Sequence, residues 1–95
     1  MEVRRKIDIL EAFRFGIDAN PEWFENMVDR RDAHIYHPEA SPYDHTKRIA
    51  SICVDREKGL WVDAKFADVI VKDVGGVVYP VEPAVFGLMF EVVRR

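Results

Sequence analysis

Apolar and polar residues alternate along the first stretch of the chain. Val3, Ile7, Ile9, Phe13 and Phe15 fall on one side, and Arg4, Lys6, Asp8 and Arg14 on the other, interrupted by Leu10 and Ala12. A period of two sustained over about a dozen residues predicts one long, half-buried strand. Gly16 ends it. Asn20-Pro21 then reads as a helix start, with Asn20 as N-cap and Pro21 in the first helical position. Glu22 and Glu25 suit the positive end of that helix. Trp23, Phe24, Met27 and Val28 form one apolar face, so a helix over Pro21–Arg31 should pack on a sheet.

The pattern then breaks. Asp32–Lys47 holds all three histidines, two prolines and several acids with no period, and is read as a long surface loop. Alternation resumes at Arg48–Val54 and again from Leu60 to Phe66, joined by the turn Asp55-Arg56-Glu57-Lys58-Gly59. Further strands are predicted at Val69–Lys72, Val77–Val81 and Phe90–Arg94. Gly75-Gly76 supplies the turn between the first two of these. Pro80 removes a ladder donor and marks an edge or a bulge. A short helix can start at Pro83, with Val85, Phe86 and Met89 facing inward and Gly87 weakening it. The sum is a single α+β domain over residues 1–95: a mostly antiparallel sheet of about six strands with one main helix and one short one. Strongly bent hairpins could close the sheet partly into a barrel.

Length and charge narrow the functional classes. Ninety-five residues support one core with little stability to spare. A net charge of −3 gives no electrostatic reason to expect nucleic acid or an anionic membrane. No segment approaches the length of a membrane span. Basic residues gather at the ends, Arg4-Arg5-Lys6 and Arg94-Arg95, where they can blunt exposed strand edges. Cys53 is the single cysteine, which points to a reducing, cytoplasmic setting and a small buried hydrophobe rather than a nucleophile.

Four groups of residues could carry chemistry. His34, His37 and His45, with Asp32, Glu39 and Asp44 close in sequence, have the ligand types of a zinc site, but they stand on a proline-containing loop without a cysteine partner. Glu11 falls on the apolar side of the first strand, where a carboxylate must be hydrogen-bonded, paired or shifted in pKa; Arg14 lies nearby in sequence. Gly75-Gly76 is not followed by a Lys-Ser/Thr pair opening a helix, so it is no phosphate loop. Trp61 lies opposite Leu60, Val62 and Ala64. It is either the second face of a covered strand or an exposed interface anchor.

The last third of the chain, Ala67-Asp68-Val69-Ile70-Val71-Lys72 through Tyr79-Pro80-Val81-Glu82-Pro83 to Phe86, resembles the motif G-D-(Y/W)-I-I-K-G-V-x-G-E-x-Y-P-(C/V)-x-P-x-x-F of a family of small tailed-phage and prophage proteins, the PGDYG-like family. The start, Arg4 to Phe15, is similar to that family's opening R-K-K-P-V-x-I-E-A-x-(R/Q)-W, with Glu11 at its glutamate. The resemblance covers about two thirds of the chain, at its two ends, and implies a phage or prophage origin. The family has no established biochemical activity, so no catalytic residue carries over. Ala67 departs from the glycine of the pattern, and Val81 replaces its frequent cysteine. If position 67 needs a positive φ, alanine is strained there.

These readings converge on a protein without a catalytic constellation or a cofactor. A non-enzymatic interaction module that docks on an unidentified host or phage protein is expected, with a homodimer through sheet edges open as well. Glu11, Arg14, Trp61, Asp68 and Tyr79 are the candidate binding residues. The competing expectation is a protein that binds and sequesters a small molecule such as a nucleotide signal.

Overall fold

The computed structural model describes residues 1–5, 8–38 and 44–92. Their order is β1 (Glu2–Arg5), β2 (Asp8–Arg14), α1 (Glu22–Asp29), β3 (Ala33–Tyr36), a 3-10 turn (His45–Lys47), β4 (Ile49–Asp55), β5 (Leu60–Ala64), β6 (Val69–Lys72), β7 (Val78–Val81), α2 (Pro83–Met89) and β8 (Glu91–Val92). The class is α+β, with one main helix, one short helix and antiparallel pairing throughout the described ladders. Among the described residues the strands form two sheets and do not close into a barrel. A larger sheet has the order β7-β6-β2-β1-β8 and a smaller one the order β3-β4-β5.

The long first strand is folded back on itself. Val3 pairs with Leu10 and Arg5 with Asp8, so β1 and β2 run antiparallel side by side; Lys6 and Ile7 lie outside the described residues. Leu10 and Ala12, which interrupt the simple alternation, are buried on the side of the sheet opposite Phe13. A central strand covered on both faces loses the one-sided pattern of an exposed sheet. β6 shows the same physics, with Val69, Ile70 and Val71 all buried.

Two cores flank the larger sheet. On one face Phe13, Phe15, Ile70 and Val78 meet Phe24 and Met27 of α1 and Ala33, Ala50, Ile52 and Ala64 of the smaller sheet. The small side chains of Ala50 and Ala64 let β7 pass close over β4 and β5 on this inner side. On the other face Val3, Leu10, Ala12, Val69 and Val71 pack under Phe86 and Phe90, whose rings stack at 5.1 Å. Phe13 anchors the first core, with the rings of Phe24 at 5.0 Å and Trp23 at 5.6 Å. Pro80 sits in β7, an outer strand of its sheet, where a missing N–H costs least.

Helix α1 starts one residue later than the proline pattern predicts. Pro21 itself is the N-cap residue, extended at ψ 159°, and Asn20 makes no cap. Proline's fixed φ suits that extended position as well as the first helical one. The helix ends in a Schellman motif: the Asp32 N–H bonds the Met27 carbonyl at 2.8 Å and the Arg31 N–H bonds Val28 at 3.1 Å. Arg31 takes the left-handed position, φ 64°, which such an ending usually gives to glycine. In α2, Phe86 is buried, whereas Val85 and Met89 are exposed and Leu88 is 87% exposed. The inward facing expected for Val85 and Met89 is therefore not found; a seven-residue helix lying flat on a sheet turns one row inward. No helix among the described residues is long and apolar enough to cross a membrane.

Candidate interaction surface

The segment read as one loop, Asp32–Lys47, contains a strand. β3 pairs along β4, His34 opposite Ser51 and Tyr36 opposite Ile49. β4 in turn pairs with β5, Ser51 opposite Asp63 and Cys53 opposite Trp61. Strand residues directly opposite each other share a face. Ala33, Ile52 and Val62 take the inner face, so His34, Tyr36, Ser51, Cys53, Trp61 and Asp63 take the outer one. This outer face is the candidate site.

Its side chains support one another. His34 stacks on Tyr36 with centroids 5.8 Å apart and planes 13° from parallel. The Tyr36 hydroxyl lies 3.5 Å from Asp63 Oδ2, reaching diagonally across β4. Trp61 is 46% exposed, which places it as an uncovered anchor and not as part of a second buried face. Cys53 is half-buried beside it, less enclosed than the buried hydrophobe the sequence suggests. β5 is an outer strand of its sheet, and Leu60, Trp61, Val62 and Asp63 are all exposed in succession.

His34, Ser51 and Asp63 stand in one row, one on each strand. A hydrolytic triad needs the imidazole between the carboxylate and the hydroxyl, because the ring relays the proton and is oriented by the acid. Here the hydroxyl is in the middle, and no hydrogen bond joins the three among the described residues. The row does not meet the geometry of nucleophilic catalysis.

A groove of about 590 Å³ opens at the end of β5, lined by Asp63, Lys65, Asp68, Pro80, Glu82, Pro83 and Ala84. Asp63 belongs to both the outer face and the groove. Asp68 is held by a turn: its N–H bonds the Lys65 carbonyl at 3.0 Å, and its Oδ2 accepts the Lys65 N–H at 2.8 Å. Ala67, third residue of that turn, has φ 72°. Phe15 faces both Ala67 and Asp68, accepting from Ala67 at 2.8 Å and donating to Asp68 at 2.9 Å. This is a bulge of two residues against one whose first residue is left-handed, the position glycine normally holds. The positive φ that makes alanine a strained choice at this position is therefore present.

The remaining sequence candidates lie apart from this surface. Glu11 is 52% exposed, 3.7 Å from Lys72 Nζ, and the burial that an acid–base role required is absent. A surface pair of this length contributes little. The Lys72 ammonium also lies 5.4 Å from the Trp23 ring centroid. Arg14 forms a two-point ion pair with Asp18, Nη2 to Oδ1 at 2.8 Å and Nε to Oδ2 at 3.1 Å. The Arg14 side-chain hydrogen bond, with its amide and charge, holds Asp18 below the ordinary carboxylate value, and Arg14 is raised in return. Tyr79 packs against the second core, on the far face of the larger sheet.

The histidines diverge. His34 is on the outer sheet face, His37 lies just past β3, and His45 sits in the 3-10 turn edge-on to Phe66 at 5.8 Å. Asp32 is engaged by Arg30 and Arg56. Asp44 caps the turn, held below its ordinary value first by the Thr46 hydroxyl and then by its amide. Glu39 lies outside the described residues. Among those described, no three His, Cys, Asp or Glu side chains are grouped to hold a metal. Sequence reasoning missed Tyr36 and Asp63 as site residues. The signal was the short run Ala33-His34-Ile35-Tyr36, an alternation hidden inside a polar stretch.

No protein-family model matches this chain, and comparison with curated proteins and with solved structures finds no match.

Proposed function

We propose that this protein is a non-enzymatic interaction module, a small phage- or prophage-encoded accessory protein that docks on another protein through the outer face of the β3-β4-β5 sheet. The single observation that carries this reading is Trp61, half-exposed on the outer face of an outer strand. Exposed tryptophan on a firm backbone costs little ordering entropy on binding and is favoured at interface centres. Tyr36 and His34 extend the aromatic surface, and Asp63 adds a hydrogen-bond acceptor at its rim. Affinity capture of a protein from a lysate of the source organism, compared between wild type and the double variant Trp61→Ala/Tyr36→Ala, tests it. A species retained by the wild type and lost by the double variant is expected. Equal recovery by both would refute the assignment of this face.

A second reading uses the groove beside Asp63. Three carboxylates and one ammonium line it, so it suits a cation and repels the phosphates of a nucleotide. A melting-temperature screen should therefore show no shift with nucleotides. A shift of several degrees with one of them would favour a nucleotide-sequestering function through binding linkage.

A further inference from the structure

β5 carries a free edge whose hydrogen-bonding groups can be assigned. The Cys53 N–H bonds the Asp32 carbonyl, on the β3 side. Backbone groups alternate in direction along an antiparallel strand, so Ala50 and Ile52 point toward β5, and their partners Ala64 and Val62 point back toward β4. Trp61 and Asp63 therefore aim their N–H and C=O groups away from the sheet. Among the described residues β5 is paired on one side only. β7, an outer strand of the larger sheet, is blunted by Pro80, whereas β5 has no proline and a single charge.

We infer that this edge pairs with the β5 edge of a second copy of the chain, antiparallel about a two-fold axis at Val62. In that register Trp61 of each copy faces Asp63 of the other and exchanges both backbone hydrogen bonds, so all four outward groups of each strand are satisfied. Val62 meets Val62 in the close, non-hydrogen-bonded pair, and Leu60 meets Ala64. The inner faces then join apolar to apolar. The two indoles come within diagonal reach on the outer face, each beside the other copy's Asp63 carboxylate. No like charges oppose each other. Shifting the axis to Asp63 would set two carboxylates together. Shifting it to Trp61 would call on Gly59, whose N–H is already bonded to Arg56 in the turn. The sequence of β5 is self-complementary in one register, and two three-stranded sheets become one of six strands.

The test is sedimentation equilibrium at high micromolar concentration, with wild type, Val62→Glu and Val62→Lys. Wild type should approach twice the 11.0 kDa chain mass. Each charged variant should run as a folded monomer by circular dichroism, because Val62 is already 36% exposed. An equimolar mixture of the two variants should recover the dimer, since opposite charges then face each other at the axis. A monomeric wild type, a Val62→Glu variant that still dimerises, or a mixture that stays monomeric would overturn the pairing. The two charged variants leave Trp61 and Tyr36 in place, so capture of a different protein by the outer face is scored separately.

Discussion

Gly16 to alanine is the sharpest test of how the turn after β2 packs against the β5–β6 turn. Gly16 has φ +82°, and a Cβ there would lie 2.6 Å from Phe66 Cδ2 and 3.2 Å from Cε2. The left-handed backbone costs an L-residue about 1–2 kcal/mol. The ring must also move, and overpacking of this kind costs about 1–3 kcal/mol. Phe66 is 36% exposed and can swing outward, which keeps the second cost near its lower limit. Alanine restricts the unfolded chain, recovering roughly 0.4–1 kcal/mol. The net expectation is a loss of about 2 kcal/mol. In a domain of this size that lowers the melting temperature by about 10 °C. Urea denaturation followed by circular dichroism gives the number. In a Phe66→Ala background the clash is gone and the backbone strain remains, so the same change should cost about 1 kcal/mol less. An equal cost in both backgrounds, or a cost below about 0.5 kcal/mol in the parent, would refute the packing of Gly16 under Phe66.

The other expectations follow from neighbouring features. Ala67→Gly and Arg31→Gly each relieve a left-handed non-glycine residue and should raise stability by about 0.5–1 kcal/mol in denaturant melts, the gain in backbone freedom being partly offset by the looser unfolded chain. Asp18 has a folded pKa depressed by Arg14, so the pair contributes stability above the ordinary carboxylate value and loses it as pH falls through the folded value. Asp18→Asn should accordingly cost about 0.5–1 kcal/mol at neutral pH, with the difference from wild type shrinking in acid. Phe13→Ala removes the ring at the centre of the first core and should cost about 3–5 kcal/mol, enough to unfold much of the protein in a thermal melt.

Much of this architecture is legible in the pattern of apolar residues. β6, with bounds Val69–Lys72, and the start of α2 at Pro83 follow directly, because turn residues bracket them. The apolar row of α1 is correct since only one side of that helix meets the sheet. The pairing of β1 with β2 is hidden for a physical reason. The two residues between β1 and β2 in the sequence, Lys6 and Ile7, are not glycine, proline or asparagine, and alternation does not reveal where a strand reverses. Reading Glu11 as buried requires Val3 to Phe15 to be one strand with one wet face. Helix α1 covers Phe13 on this face but leaves Glu11, two residues back along the same central strand, open to water. β3 is obscured because its outer positions are His34 and Tyr36, polar residues that suit an open sheet face and resemble a loop when read by composition. The outer face depends on β3 for His34 and Tyr36, so the sequence singles out Trp61 as a binding residue, offers His34 only as a metal ligand, and does not mark Tyr36 and Asp63.

The central claim is that the outer face of the smaller sheet is where this protein meets another. A photoreactive amino acid placed at Ser51, in the middle strand of that face, and in a parallel sample at Glu25 on the exposed side of α1, tests it most directly in lysate. A discrete cross-linked product carrying peptides of a different protein from position 51, absent from position 25, is the predicted result. Equal labelling from both positions, or product from position 25 alone, would contradict it.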